Sequence, residues 1–227
     1  MTRTTNARIA GFTYLAYIGV AFPAMVLFAK ATGAPGAANP LGIIAQHIPE
    51  LRITIALGVL SCFCALVLAV TLYGITRDED RELAMLAFAC RLGEGLVGAV
   101  PFTTLGLIWL ATNVGPTAPD AASARALAAL LMKVGDWQVL TAALLFAVGS
   151  TLFSYLLLRG RMIPVGIAWL GVIGSAILVV ILPLQLAGFV ARSITGFIWL
   201  PIALFEVTVA LWFLVKGVAT PMRKRSP

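Results

Sequence analysis

Charge is scarce in this chain. Of its 227 residues only 11% are Asp, Glu, Lys or Arg, against 61% hydrophobic, and mean hydropathy is +1.02. A soluble domain of this length would carry more apolar surface than one core could hide, so the composition specifies a polytopic membrane protein. Histidine is scarcer still. His47 is the single one, in a connection between apolar runs, which removes the ligands of a bis-histidine haem or a histidine-rich intramembrane zinc centre. The three cysteines, Cys62, Cys64 and Cys90, form no C-x-x-C pair and read as small packing residues within apolar runs. A Gly-rich phosphate loop and a serine nucleophile motif with a histidine partner are also missing. The sequence therefore implies no cofactor and no metal. The 16 basic residues and net charge of +7 flank apolar runs without making a continuous basic face, which argues against nucleic acid.

What is present is a set of six apolar runs long enough to cross a bilayer, at about 9–29, 53–75, 83–111, 139–158, 164–190 and 197–215. The expectation is one all-α bundle over residues 1–227, with membrane lipid around it. The first run has a basic flank and is followed directly by Lys30, so it reads as a retained helix and not a cleaved signal. With both termini inside, Arg3, Arg8, Arg77, Arg81, Arg159, Arg161, Lys216, Arg223, Lys224 and Arg225 are cytoplasmic. Lys30, Arg52, Arg125, Lys133 and Arg192 are then outside. Ten basic residues against five favour this orientation.

The inner connections, a mixed-charge turn from Arg77 to Glu82 and Arg159-Gly160-Arg161, are too short to hold a domain. On the outer side, Asn39-Pro40 begins an expected short helix over 41–48, and a second is expected over 122–134, with Leu127, Leu130, Leu131 and Val134 at helical spacing. These read either as interfacial linkers or as a lid. Pro23, Pro101, Pro183 and Pro201 all fall in the outer half of their spans. Each removes a helix hydrogen bond and frees a carbonyl that a neighbour, water or ligand must satisfy, giving either simple curvature or a vestibule.

Three charges lie inside the apolar runs: Arg91, Glu94 and Glu206. Arg91 and Glu94 are roughly 12 and 17 Å into the third span, and Glu206 is ~14 Å into a span running the other way, at a rise of ~1.5 Å per residue. The three should share a level near mid-membrane. Spacing by three puts Arg91 and Glu94 on one face, and Ala203 and Ala210 beside Glu206 suggest a close approach of the two helices. One guanidinium with two carboxylates leaves a formal charge of minus one, which favours uptake of a proton or a cation. Glu206, without an arginine on its own helix, is expected to be the more easily protonated acid and the ligand contact. Arg91 could equally bridge both acids and fix helix register without any ligand. Asp136, Gln138, Gln185 and Thr104 are candidates to line a path inward from outside. Trp137 and Trp199 read as membrane anchors, and Tyr14, Tyr17, Tyr73 and Tyr155 as interfacial packing.

The stretches Asn6-Ala7-Arg8-Ile9-Ala10-Gly11 with Thr13-Tyr14-Leu15, Leu72-Tyr73-Gly74-Ile75-Thr76-Arg77-Asp78 and Cys90-Arg91-Leu92-Gly93-Glu94-Gly95 resemble the bacterial membrane family catalogued as domain of unknown function 4386. The resemblance covers nearly the whole chain. It implies a multi-span protein of a bacterial inner membrane, and supplies no reaction, ligand or catalytic residue. Three readings stay open. The first is a binding or transport protein for a small solute, cation or proton, using Arg91, Glu94 and Glu206. The second is a noncatalytic scaffold or regulatory partner, and the third a lipid-modifying or hydrolytic enzyme using the glutamates as acid and base. The lack of motifs leans away from an enzyme. Gly171 and Ser175, spaced by four, offer a small face for a homodimer.

Overall fold

A computed structural model describes residues 2–33, 40–113, 119–191 and 196–219. The helices are α1 (Arg3–Thr32), α2 (Pro40–Gln46), α3 (Ile48–Thr76), α4 (Arg81–Ala99), α5 (Phe102–Thr112), α6 (Ala121–Arg159), α7 (Val165–Leu186) and α8 (Leu200–Val215), the last preceded by a 3₁₀ turn, Phe197–Trp199. Six candidate spans result, with Arg81–Thr112 counted as one. Asn39, Arg192, Arg223, Lys224 and Arg225 lie outside the described residues.

Local chemistry sets the helix ends. Thr2 accepts from the Thr5 amide, Asp80 from Leu83, and Asp120 from Ala122 and Ser123, so α1, α4 and α6 each begin on an N-cap that satisfies otherwise orphaned donors. Pro40 opens α2, which ends at Gln46, close to the expected 41–48. The expected helix over 122–134 is not separate: it is continuous with the fourth span in the 39-residue α6. Polar residues such as Lys133, Asp136 and Gln138 do not interrupt a helix, and no proline stands between them to do so. At ~1.5 Å per residue α6 is roughly 58 Å long, about twice the hydrocarbon thickness, so it projects well past the membrane.

The prolines behave unequally. Pro23 and Pro183 sit inside continuous helices, and Pro201 lies in the first turn of α8, where a missing N–H costs nothing. Pro101 alone breaks a span: Val100 is extended, and the chain restarts as α5. The Val97 carbonyl would have received the N–H that Pro101 lacks. Gln138 Nε2 on α6 donates to it at 2.7 Å and to the Val100 carbonyl at 2.8 Å.

Tertiary contacts run α1 to α3, α3 to α4, α4 to α6, α6 to α7, α7 to α8 and α8 back to α1. The six spans thus close into a ring in which α4 stands opposite α8, and α1 opposite α6. The expected packing of α4 against α8 does not occur. Ala203 is exposed, and Ala210 serves the α1–α8 seam instead: a Cβ on Gly11 would sit 2.6 Å from the Ala210 carbonyl oxygen. Likewise the Gly171 and Ser175 face is not free for a second copy. Both are buried, Gly171 against Ser154 of α6 and Phe205 of α8, while the Ser175 hydroxyl donates to the Gly171 carbonyl and accepts from Thr151 at 2.9 Å.

The two ends of the bundle differ. At one end Arg3 pairs with Asp78 at 2.8 Å, and Arg159 with Glu79 and Asp80 at 3.1 Å. Gly217 lies beside Thr4, so the ends of α1 and α8 share this side. At the other end α2, α5 and the start of α6 meet the end of α1 and the start of α3 in a second apolar cluster built on Ala31, Ile44, Leu51, Leu107, Leu110 and Ala128. Leu127, Leu130 and Val134 of the expected apolar stripe face outward; Ala124 and Ala128 are the buried side.

Candidate functional site

Opposite helices of the ring present polar groups to its centre. Arg91 and Glu94 come from α4, Glu206 from α8, Tyr14 and Tyr17 from α1, and Phe146 and Gly149 from α6. The relative exposure of Arg91, Glu94 and Glu206 is 0, 4 and 8%, so all three face the bundle interior and not lipid. That is where a charge in a membrane helix is tolerated.

Arg91 is held on three sides. Its Nη1 lies 2.9 Å from Glu94 Oε2, a charge pair whose N–H is not aimed along the contact. Its guanidinium carbon stands 4.9 Å over the centroid of the Phe146 ring, and Phe146 is backed by Trp199, ring centroids 6.2 Å apart. Its aliphatic stem runs along Gly149, where a Cβ would come within 3.1 Å of Arg91 Cγ and 3.2 Å of the Ala87 carbonyl. A side chain at position 149 would crowd the arginine. Trp199 is half-buried against this cluster, whereas Trp137 is exposed with Lys133 Nζ 6.0 Å from its ring centroid.

The two glutamates are not equivalent. Glu94 Oε1 accepts from the Tyr17 hydroxyl at 2.8 Å, and Oε2 faces Arg91. Glu206 makes no ion pair among the described residues, and its Oε1 is buried without a hydrogen-bond partner. It is close enough for the charges of Arg91 and Glu94 both to act on it, and Tyr14 feels all three. The cluster is one electrostatic unit in which one acid is paired and the other is not.

Sequence reasoning missed Tyr14 and Tyr17 by placing them at the interface. The signal was depth. Tyr17 is roughly 21 Å along α1 and Glu94 roughly 20 Å along α4, counted from the same end of the bundle at ~1.5 Å per residue. By the same count Asp136, Gln138 and Gln185 stand roughly 30–35 Å from that end, well outward of the cluster. Gln138 is committed to the Pro101 break, Thr104 and Asp136 are half-buried, and Gln185 carries a buried Oε1 without a partner. The structure does not bring these four to Arg91. Tyr73 packs on Phe88 at 5.8 Å, and Tyr155 is exposed.

An all-helical ring of six apolar spans around a buried Arg/Glu/Tyr cluster defines a polytopic integral membrane protein. The chain belongs to the family described as Domain of unknown function (DUF4386), which matches residues 9–217. No curated protein and no solved structure matches it.

Proposed function

We propose that this protein binds a proton, or a small cation in its place, at Glu206, and that the site serves binding or transport of a small solute or ion across a bacterial inner membrane. The observation that carries this is the buried, unpartnered Oε1 of Glu206. Arg91 is engaged by Glu94, so the second carboxylate has no partner of its own. An uncompensated charge in a desolvated interior is unfavourable, and a proton or cation removes it. The complete burial of Arg91 favours species of that size, since anything larger would need the helices to part. The orientation proposed, both termini cytoplasmic, rests on the basic residues at the end that carries Arg3, Arg77, Arg81, Arg159 and Arg161.

Glu206→Gln mimics the protonated acid and should fold as the wild type does. In liposomes carrying an internal pH dye, with Na⁺ or K⁺ gradients imposed, wild-type protein should give pH-dependent flux and the variant none. Retention of the wild-type pH response by Glu206→Gln overturns the proposal. The scaffold reading would then stand, favoured by the Arg91–Glu94 pair and the filled centre of the ring.

A further inference from the structure

A second feature lies at the end of the bundle where the basic residues collect, independent of Glu206. The α6–α7 turn and the chain leaving α8 form the walls of an open surface cavity of about 390 Å³. Arg161 and Lys216 line it, together with Met162, Pro164, Trp212 and Val218. The walls are fixed by backbone: the Ala219 amide donates to the Met162 carbonyl at 3.0 Å, tying the segment after α8 to the turn, and the Arg161 and Met162 amides donate to Leu158 and Leu157 at 3.0 Å. Arg161 takes φ +48, a left-handed conformation uncommon outside glycine, and Gly217 follows the last helix at φ +71. These two turns set the cations at the rim.

Their charge is unspent. Both side chains are exposed, and neither makes an ion pair among the described residues, whereas Arg3 and Arg159 at the same end are paired with acids. The cavity therefore joins two uncommitted cations to an apolar wall with an indole, at the level where the spans leave the bilayer. That combination suits a ligand with an anionic head and an apolar body. Its volume falls in the range of small-molecule sites, about 300–1,000 Å³.

We propose that this cavity binds the phosphate of an anionic phospholipid, with Arg161 and Lys216 holding the headgroup and Trp212 packing against its glycerol and upper acyl chains. The test uses the full-length protein, purified and delipidated in a zwitterionic detergent. Phosphatidylglycerol, phosphatidylcholine and inorganic phosphate are titrated separately, with bound lipid read by native mass spectrometry and stability by thermal unfolding. The variant is Arg161→Asn with Lys216→Gln, asparagine being chosen because it tolerates positive φ. Its unfolding midpoint without lipid should match the wild type, since both side chains are exposed. Phosphatidylglycerol should bind the wild type with preference over phosphatidylcholine, and the double variant should bind it about thirtyfold more weakly, as expected for the loss of two surface cations. Equal binding of both lipids, or undiminished phosphatidylglycerol binding by the double variant, overturns the proposal. A response to inorganic phosphate with no lipid preference overturns the assignment to lipid.

Discussion

The Tyr17 hydroxyl donates to Glu94 Oε1 at 2.8 Å, joining α1 to α4 across the interior of a ring in which α3 stands between them. The bond closes the polar cluster on the side away from α6. Glu94 is thereby fixed from its own helix by Arg91 and from α1, past α3, by a tyrosine.

Tyr17→Phe keeps the ring and deletes the bond. A hydrogen bond to a charged acceptor contributes about 1.5–3 kcal/mol, so the unfolding midpoint in detergent should fall measurably. In a Glu94→Gln background the same substitution should cost much less. Equal losses in both backgrounds would show that Tyr17 acts through packing alone.

Arg91→Leu leaves two buried acids without a cation and should destabilise by about 3–5 kcal/mol, the cost of breaking a buried pair from one side. Adding Glu94→Gln and Glu206→Gln should recover much of that loss. Arg91→Lys should be intermediate, because it keeps the charge but loses the planar guanidinium over Phe146. Stability in detergent, measured for the wild type and these three variants, checks this order.

Gln138→Leu strands the Val97 and Val100 carbonyls at the helix break. A fully buried acceptor left unpaired costs about 1–3 kcal/mol; the part-buried Val97 carbonyl should carry most of the loss and the exposed Val100 carbonyl little. Pro101→Ala restores an N–H that can reach Val97, so the cost of Gln138→Leu should shrink in that background. A double-mutant cycle gives the answer directly, and full additivity would refute the link between the two residues.

Asp80, in the turn before α4, is held below the ordinary aspartate range first by the Leu83 amide that it caps, then by Arg159. A depressed folded value means that its stabilising contribution is complete above the unfolded value, about 3.9, and is lost as pH falls below it. Asp80→Asn should therefore be less stable than wild type at neutral pH and lose less stability on acidification from pH 5 to pH 3. Parallel unfolding curves for the two proteins over that interval would contradict this.

The membrane class, the six spans and the mid-depth position of Arg91, Glu94 and Glu206 were legible because they depend on composition and on distance along a helix. Hydrocarbon thickness fixes how many apolar residues a span needs, and helical rise fixes depth. The Pro101 break was legible as a freed carbonyl, though not the side chain that would meet it. Gln138 is 41 residues from Val97, and only the α4–α6 contact makes them neighbours.

Azimuth, the direction in which each helix turns its face and the neighbour it meets, was decided by the tertiary structure alone. In a chain this apolar, a hydrophobic stripe cannot mark the inner face, because lipid accepts Leu and Val as readily as the core does. Glu206 and Arg91 could be set at one depth from sequence; that α8 stands across the ring from α4, with Ala210 on Gly11 and Gly171 spent against Phe205, depended on how six helices close around one arginine. The same closure brought Tyr17 to Glu94 and left Glu206 unpaired.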